Sequence, residues 1–301
     1  MALDLEALHV FVKVAELASF TRAAEQLGMP KARASLRLQA LESQLGAHLL
    51  QRTTRTVRLT RDGEQLLPRA RQLIAEADDV GAMFQGGRAL RGMVRIDLPM
   101  NLAREAVIPR VPELLAAHPE LELQISTTDR RVEVVREGFD CVLSVGTLVP
   151  SGLVAQRLGE LVMVNCASPA YLRRRGTPRA LADLADHLLV HYAPRFGSDA
   201  PTFEYLAGDR YEQLPMRSTI AVNSTDAYQG ACLAGLGIIQ VPRIGVRDRL
   251  EAGDLVEILS DLPSEPMPVS LVHAHGRRVP KRVRAVMTWL AAVIAPRLGL
   301  A

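Results

Sequence analysis

Seven histidines (His9, His48, His118, His187, His191, His273 and His275), three cysteines (Cys141, Cys166 and Cys232) and acids such as Asp226 are the residues from which catalytic or metal chemistry would be built. Their spacing does not build it. His273-Ala274-His275 sets two imidazoles two residues apart, too few ligands for a metal without further donors. No G-x-S-x-G, H-E-x-x-H, P-loop or G-x-G-x-x-G motif occurs; Gly235-Leu236-Gly237 lacks the later glycine and precedes a strand pattern instead of following one. An α/β enzyme is therefore the weak alternative from another functional class, and no cofactor is expected. The cysteines are odd in number, form no C-x-x-C and sit in apolar stretches, where a thiol behaves as a small hydrophobe. A thiol-based redox-sensing role through Cys166 and Cys232 stays open as a second alternative.

Charge carries a stronger signal. Of 36 basic residues 33 are arginine, a side chain suited to phosphate and guanine, although a bias spread over the whole chain says little by itself. Local distribution says more. Residues 22–61 hold eight basic residues (Arg22, Lys31, Arg33, Arg37, Arg52, Arg55, Arg58, Arg61) against Glu25 and Glu42, a balance of +6, within a chain whose net charge is +3. The rest is mildly acidic. The same forty residues contain no Phe, Tyr or Trp, which argues against single strands stacked on aromatic platforms and for contact with duplex phosphates.

Three short helices are predicted to hold these cations. Leu5, Leu8, Phe11, Val12 and Ala15 recur at helical spacing. Thr21 reads as the N-cap of a helix over residues 22–27 that Gly28 stops. After Pro30, residues 31–44 set Ala34, Leu38, Leu41 and Leu45 on one face, closed by Gly46, and leave Lys31, Arg33, Ser35, Arg37 and Gln39 off it. A short helix, a glycine turn and a second helix with a basic outer face form the helix-turn-helix pattern. Residues 53–60, TTRTVRLT, alternate and are β-branched, as a small hairpin wing with Arg55 and Arg58 near phosphates would be. A helix from Thr60 follows, with Leu66, Ala70, Leu73, Ala77, Val80 and Phe84 in a 3.5-residue seam that suits a coiled-coil dimer or packing on the helix's own domain. Pro68 predicts a kink in it.

Beyond residue 93 strands and helices alternate. Strands are predicted at 94–98, 121–127 and 141–145, with helices at 102–118 and 131–137 between them, giving a largely parallel sheet. A second set follows, with strands at 161–167, 188–191, 220–222 and 238–241, helices at 170–174, 180–185 and 225–236, then a strand at 269–273 and a helix at 279–298. Two α/β subdomains with a ligand cleft between them is the packing this implies. At 301 residues and 48% apolar composition the chain can bury several cores, which excludes intrinsic disorder, collagen and a disulfide miniprotein. Its longest apolar runs are too short to span a bilayer, and Asp4, Glu6, His9 and Lys13 interrupt the first segment, so no signal peptide is read there. A reducing, cytoplasmic setting is expected.

Residues 19–28 (SFTRAAEQLG), 40–46 (ALESQLG) and 49–64 (LLQRTTRTVRLTRDGE), in this order and spacing, resemble the LysR-type transcriptional regulators. Residues 168–176 (SPAYLRRRG), 222–227 (VNSTDA) and 234–238 (AGLGI) extend the likeness over essentially the whole chain. The resemblance implies a winged helix-turn-helix over residues 1–61, a dimerising linker helix over 62–90, and an α/β effector domain over 91–301 like a periplasmic binding protein. Its first subdomain is expected at about 91–162 and 267–301, and its second at about 163–266. The expected partners are promoter or operator duplex, a small-molecule effector, further copies of the chain in a homodimer or homotetramer, and RNA polymerase. DNA contacts are expected from Thr21, Arg22, Lys31, Ala32, Arg33, Ser35, Arg37, Arg52, Thr54 and Arg55. Two departures touch docking: Pro30 stands where the family commonly has a capping serine, and Leu36 where an arginine often follows the helix serine. Effector contacts are expected from Pro99, Met100, Asn101, Ser144, Gly146, Thr147, Asn223, Ser224 and Thr225, with Asn101 capping the helix after it. The family often has arginine where Ser144 stands, so a ready anion partner is absent there.

Overall fold

The computed structural model describes residues 3–52, 57–83, 90–130, 132–197, 199–276 and 279–299. Helices α1 (Leu5–Leu17), α2 (Phe20–Gln26) and α3 (Lys31–Leu45) pack around Leu8, Phe11, Leu38, Leu41 and Leu49, all almost fully buried. Asp4 caps α1 by accepting from the Glu6 amide, and Gly28 and Gly46 end α2 and α3 in left-handed conformations. The cap of α2 is Ser19, whose Oγ accepts from the Arg22 amide at 3.3 Å; Thr21 lies one residue inside the helix. Leu45 stays exposed instead of joining the core, because α3 is already at its last residue there.

Strands β1 (Leu50–Arg52) and β2 (Val57–Leu59) pair antiparallel, Leu50 opposite Leu59, and form the wing. Its tip, with Thr54 and Arg55, lies outside the described residues, as does the Arg52 side chain. Glu42 of α3 ties this wing down by accepting from the Leu49 amide at 2.7 Å and the Leu50 amide at 3.2 Å. Helix α4 (Arg61–Met83) starts on Thr60, whose hydroxyl accepts from the Gly63 amide, and continues through Pro68. Leu66 and Ala70, the first two seam residues, pack into the N-terminal core, while Leu73 and Val80 further along are 42% and 58% exposed. The stripe thus divides between the helix's own domain and a face open to a partner. Phe84 lies outside the described residues.

The larger unit begins with β3 (Arg91–Leu98), α5 (Met100–Leu102), α6 (Val111–Ala117), β4 (Glu120–Thr127), α7 (Val134–Glu137), β5 (Cys141–Val145) and β6 (Val154–Leu161). The single helix expected over 102–118 is broken: a π turn spans Ala103–Val107 and a 3-10 turn Ile108–Arg110 before α6. Pro109 and Pro112 explain this, since each removes an amide donor and crowds the preceding turn. The chain next forms β7 (Met163–Ala167), α8 (Pro169–Arg175), β8 (His191–Tyr192), β9 (Thr202–Ala207), β10 (Arg210–Pro215) and β11 (Ala221–Val222). It continues through α9 (Thr225–Leu233), β12 (Ile239–Pro242), α10 (Arg247–Glu251) and β13 (Val256–Glu257). It returns as β14 (Met267–His273) and α11 (Lys281–Ile294).

The main sheet runs β4-β3-β5-β14-β6. Strands β3, β4 and β5 are parallel, as βαβ logic requires, but β14 runs antiparallel to both its neighbours, so the sheet is mixed and not largely parallel. Val94, Ile96, Leu98, Leu143, Leu271 and, from α11, Leu290 fill its core. In the second subdomain β12-β7-β13 is antiparallel, a two-strand parallel pair joins β8 to β11, and β9-β10 form a hairpin the sequence patterns left unread. The strand expected over 161–167 is two strands, β6 and β7, belonging to different sheets and meeting at the exposed Val162.

Candidate nucleic-acid interface and effector cleft

Helix α3 buries Ala34, Leu38 and Leu41 and so turns Lys31, Ala32, Arg33 and Leu36 outward; all four are exposed, Leu36 at 66%. Ser35 and Arg37 are half-buried beside them, and Thr21 and Arg22 are exposed on α2. The cations on α3 differ in freedom. Arg37 forks between the Asp4 and Glu6 carboxylates at the start of α1, both at 2.5 Å, and Arg33 reaches Glu6 at 3.3 Å. Lys31 has no ion pair among the described residues. Pro30 precedes α3 without a side-chain cap, which leaves the first amides of that helix open to an anion such as a DNA phosphate. Arg58 on β2 and Arg61 at the start of α4 extend the exposed basic surface past the wing.

The other candidate site lies where the two subdomains meet. Pro99, not Asn101, is the N-cap of α5, because the helix starts at Met100 as soon as β3 ends; Asn101 is its second residue. Asn101 Oδ1 instead accepts from Arg104 Nη2 at 3.3 Å, and Arg104 Nη1 reaches across to Asp226 of α9 at 3.4 Å. Asn101 Nδ2 also lies close to Gly245, 3.3 Å from where a Cβ would stand there. From the same lip, Asp129 Oδ2 accepts from the Thr225 amide at 2.7 Å and its hydroxyl at 2.9 Å. Ser224 caps α9 through its Oγ, and Asn223 precedes it, exposed. A carboxylate of the protein itself therefore sits at the N-terminus of α9, where free amides favour an anion.

The structure brings Asn101 and Thr225 to facing lips of this cleft, joined through Arg104 and Asp129, two residues the sequence reading did not select. Ser144 lies within β5 opposite Ser270, the Gly146 amide donates to the Pro268 carbonyl at 2.8 Å, and Thr147 is exposed. Among the described residues no hydrogen bond or ion pair joins these three to the cross-cleft set.

Of the residues that rival chemistries would use, Asp226 is paired with Arg104 in the cleft and the cysteines are buried. Burial pushes the Cys166 and Cys232 thiols up to about 12 and Cys141 also well upward, which disfavours the thiolate that redox chemistry needs. Among the described residues no cluster of three His, Cys, Asp or Glu could hold a metal, and no helix is long and apolar enough to cross a membrane.

A winged helix-turn-helix joined by a long helix to a two-lobed α/β domain defines a DNA-binding protein with a built-in ligand receptor. Residues 5–64 match the bacterial regulatory helix-turn-helix protein of the lysR family, and residues 87–295 match the LysR substrate binding domain. The chain belongs to the LysR-type transcriptional regulators, which couple a DNA-binding helix-turn-helix to an effector-binding domain. It is 43% identical over 291 residues to the uncharacterized HTH-type transcriptional regulator YhjC of Escherichia coli, spanning 96% of this chain and 97% of that one. An HTH-type transcriptional repressor of Pseudomonas aeruginosa is 32% identical over 292 residues, 97% of this chain and 92% of the relative. The structure of CrgA, a LysR-type transcriptional regulator from Neisseria meningitidis, superposes with a TM-score of 0.61 at 27% identity, covering 97% of this chain and 99% of CrgA.

Proposed function

We propose that this regulator places α3 in the major groove of an operator duplex. Lys31, Ala32, Arg33 and Ser35 then meet base edges or flanking phosphates, and Thr21, Arg22, Arg37, Arg52, Thr54 and Arg55 hold the backbone. The exposed basic start of α3, with Lys31 unpaired among the described residues, is the observation that carries this reading. Leu36, where the family often has arginine, offers an apolar contact of the kind that reads a thymine methyl. Two copies pair through the exposed Leu73 and Val80 of α4 as a homodimer, the unit from which a homotetramer is built, so that two half-sites are bound at once. The protein works in the cytoplasm, on promoters where RNA polymerase is the onward partner, and it is not an enzyme.

The small-molecule effector enters the cleft between the subdomains, among Pro99, Met100, Asn101, Asn223, Ser224 and Thr225, with Ser144, Gly146 and Thr147 on the floor strand and its loop. Entry there has to loosen the Asp129–Thr225 and Arg104–Asp226 contacts, and that is the differential interaction through which a ligand shifts the arrangement of the dimer arms. Fluorescence anisotropy on duplexes selected from a random pool tests the reading. The wild type is expected to bind a selected duplex with steep salt dependence, and K31A to bind more weakly with a salt slope reduced by about one. Absence of duplex binding at low salt would overturn it.

A further inference from the structure

A cavity of about 290 Å³ lies away from the cleft, between the DNA-binding unit and the main sheet. Lys13 of α1 and Arg69 and Arg71 of α4 line one side; Arg95 of β3 and Arg282 of α11 line the other. Three carboxylates share the lining, and two are already engaged. Glu16 accepts from Arg71 Nε at 3.1 Å and pairs with Arg71 Nη2 and with Lys13. Asp140 Oδ2 accepts from the Arg95 backbone amide at 2.8 Å, while its Oδ1 faces His275 Nε2 at 3.6 Å. Glu122, on β4, is the third.

Two nitrogens of the Arg95 guanidinium are left over. Its Nε and Nη1 are sealed from solvent and have no hydrogen-bond partner among the described residues. Gly138 lets the two arginines converge: the place where its Cβ would stand is 2.9 Å from Arg71 Nη1 and 3.6 Å from Arg95 Nη1. Two like charges thus face one point, with buried donors that cost free energy while they lack an acceptor. Burial and then the nearness of Arg95 lower the Arg71 pKa, against the opposing pull of Glu16 and Asp140.

We propose that this junction is a second small-molecule site, taking an oxyanion of the phosphate or carboxylate class between Arg71 and Arg95. Arginine forks match both chemistries, and an anion here would supply the acceptors that Arg95 lacks. Since α1 and α4 form one wall and β3, the segment after α7 and α11 the other, an occupant bridges the DNA-binding unit and the effector domain. Such binding favours the arrangement in which the two walls face each other.

Isothermal titration of the full-length protein with inorganic phosphate, and separately with succinate, at ionic strength held constant with sodium chloride, tests this site. One of the two anions is expected to bind saturably, R95Q to weaken that binding at least tenfold, and R71K, which keeps the charge but loses the fork, to weaken it severalfold. T225V in the cleft is expected to leave it unchanged. R71K keeps the test decisive should R95Q fail to fold. Absence of saturable binding of either anion by the wild type, equal binding by R71K and the wild type, or loss of binding in T225V would overturn the proposal.

Discussion

Arg37 and Lys31 lie two turns apart on one helix, yet the structure gives them different work. Arg37 is held by Asp4 and Glu6, so its removal is expected to loosen α3 from α1 as well as remove a cation. R37A should lower stability by up to about 1 kcal/mol, the range of a partly exposed pair, whereas K31A should leave the melting temperature unchanged. Thermal melts of the two variants beside their duplex affinities separate the roles. At the cleft, Asp129 accepts two hydrogen bonds from Thr225. D129N is expected to cost about 1–3 kcal/mol in chemical denaturation by weakening charge-assisted bonds, and an unchanged midpoint would remove Asp129 as a latch. Asp97, buried in β3, has its pKa raised by desolvation. The native state then keeps a proton that the unfolded chain has already lost, so stability falls as pH rises from the usual carboxylate value through the raised one. In D97N that segment of the pH–stability curve is expected to lose this downward contribution and so to fall less steeply than in the wild type.

At the scale of elements, the glycine-stopped helices and the recognition helix were legible because their signals are local: apolar spacing, Gly28, Gly46 and Pro30. The structure departs from these local signals where two of them compete. Ser19 outranks Thr21 as the cap of α2 because Phe20 is already needed in the core, drawing the helix start two residues earlier. Apolar spacing over 102–118 concealed Pro109 and Pro112, which split that helix into π, 3-10 and α pieces. Gly63 has no apolar spacing or turn signal to mark it, yet it is where α4 crosses the wing: a Cβ there would stand 2.0 Å from the Leu49 carbonyl oxygen. G63A must therefore displace the wing or α4 and is expected to destabilise the N-terminal unit by about 2 kcal/mol or more, read from its thermal transition. A wild-type transition would show that the backbone yields there without cost. The exposed pair on α4 makes a separate prediction: L73E with V80E should shift the protein to monomer in light scattering, and an unchanged mass would place the oligomer contact elsewhere.

For the whole molecule, the sequence revealed a basic module on an acidic body and an α/β receptor behind it, but the contacts that connect the parts were hidden. Asp129 and Thr225 are 96 residues apart and Arg104 and Asp226 are 122 apart, and no periodicity links such pairs. The same holds for Arg71 of α4 and Arg95 of β3, which come together at Gly138, beside the contact of α4 with α7. Ser144 is set by strand pairing with Ser270 and Gly146 by its bond to the Pro268 carbonyl, and neither position is marked by a local pattern in the sequence.

Regulation by this protein begins with the proposed recognition of duplex by α3. Anisotropy titrations of the full-length protein on one selected duplex, across a salt series and with K31A and R33A alongside the wild type, measure it directly. Steep salt dependence in the wild type, with affinity and slope both reduced in each variant, is the predicted result. Wild-type affinity and slope retained by both variants would contradict DNA binding through this helix.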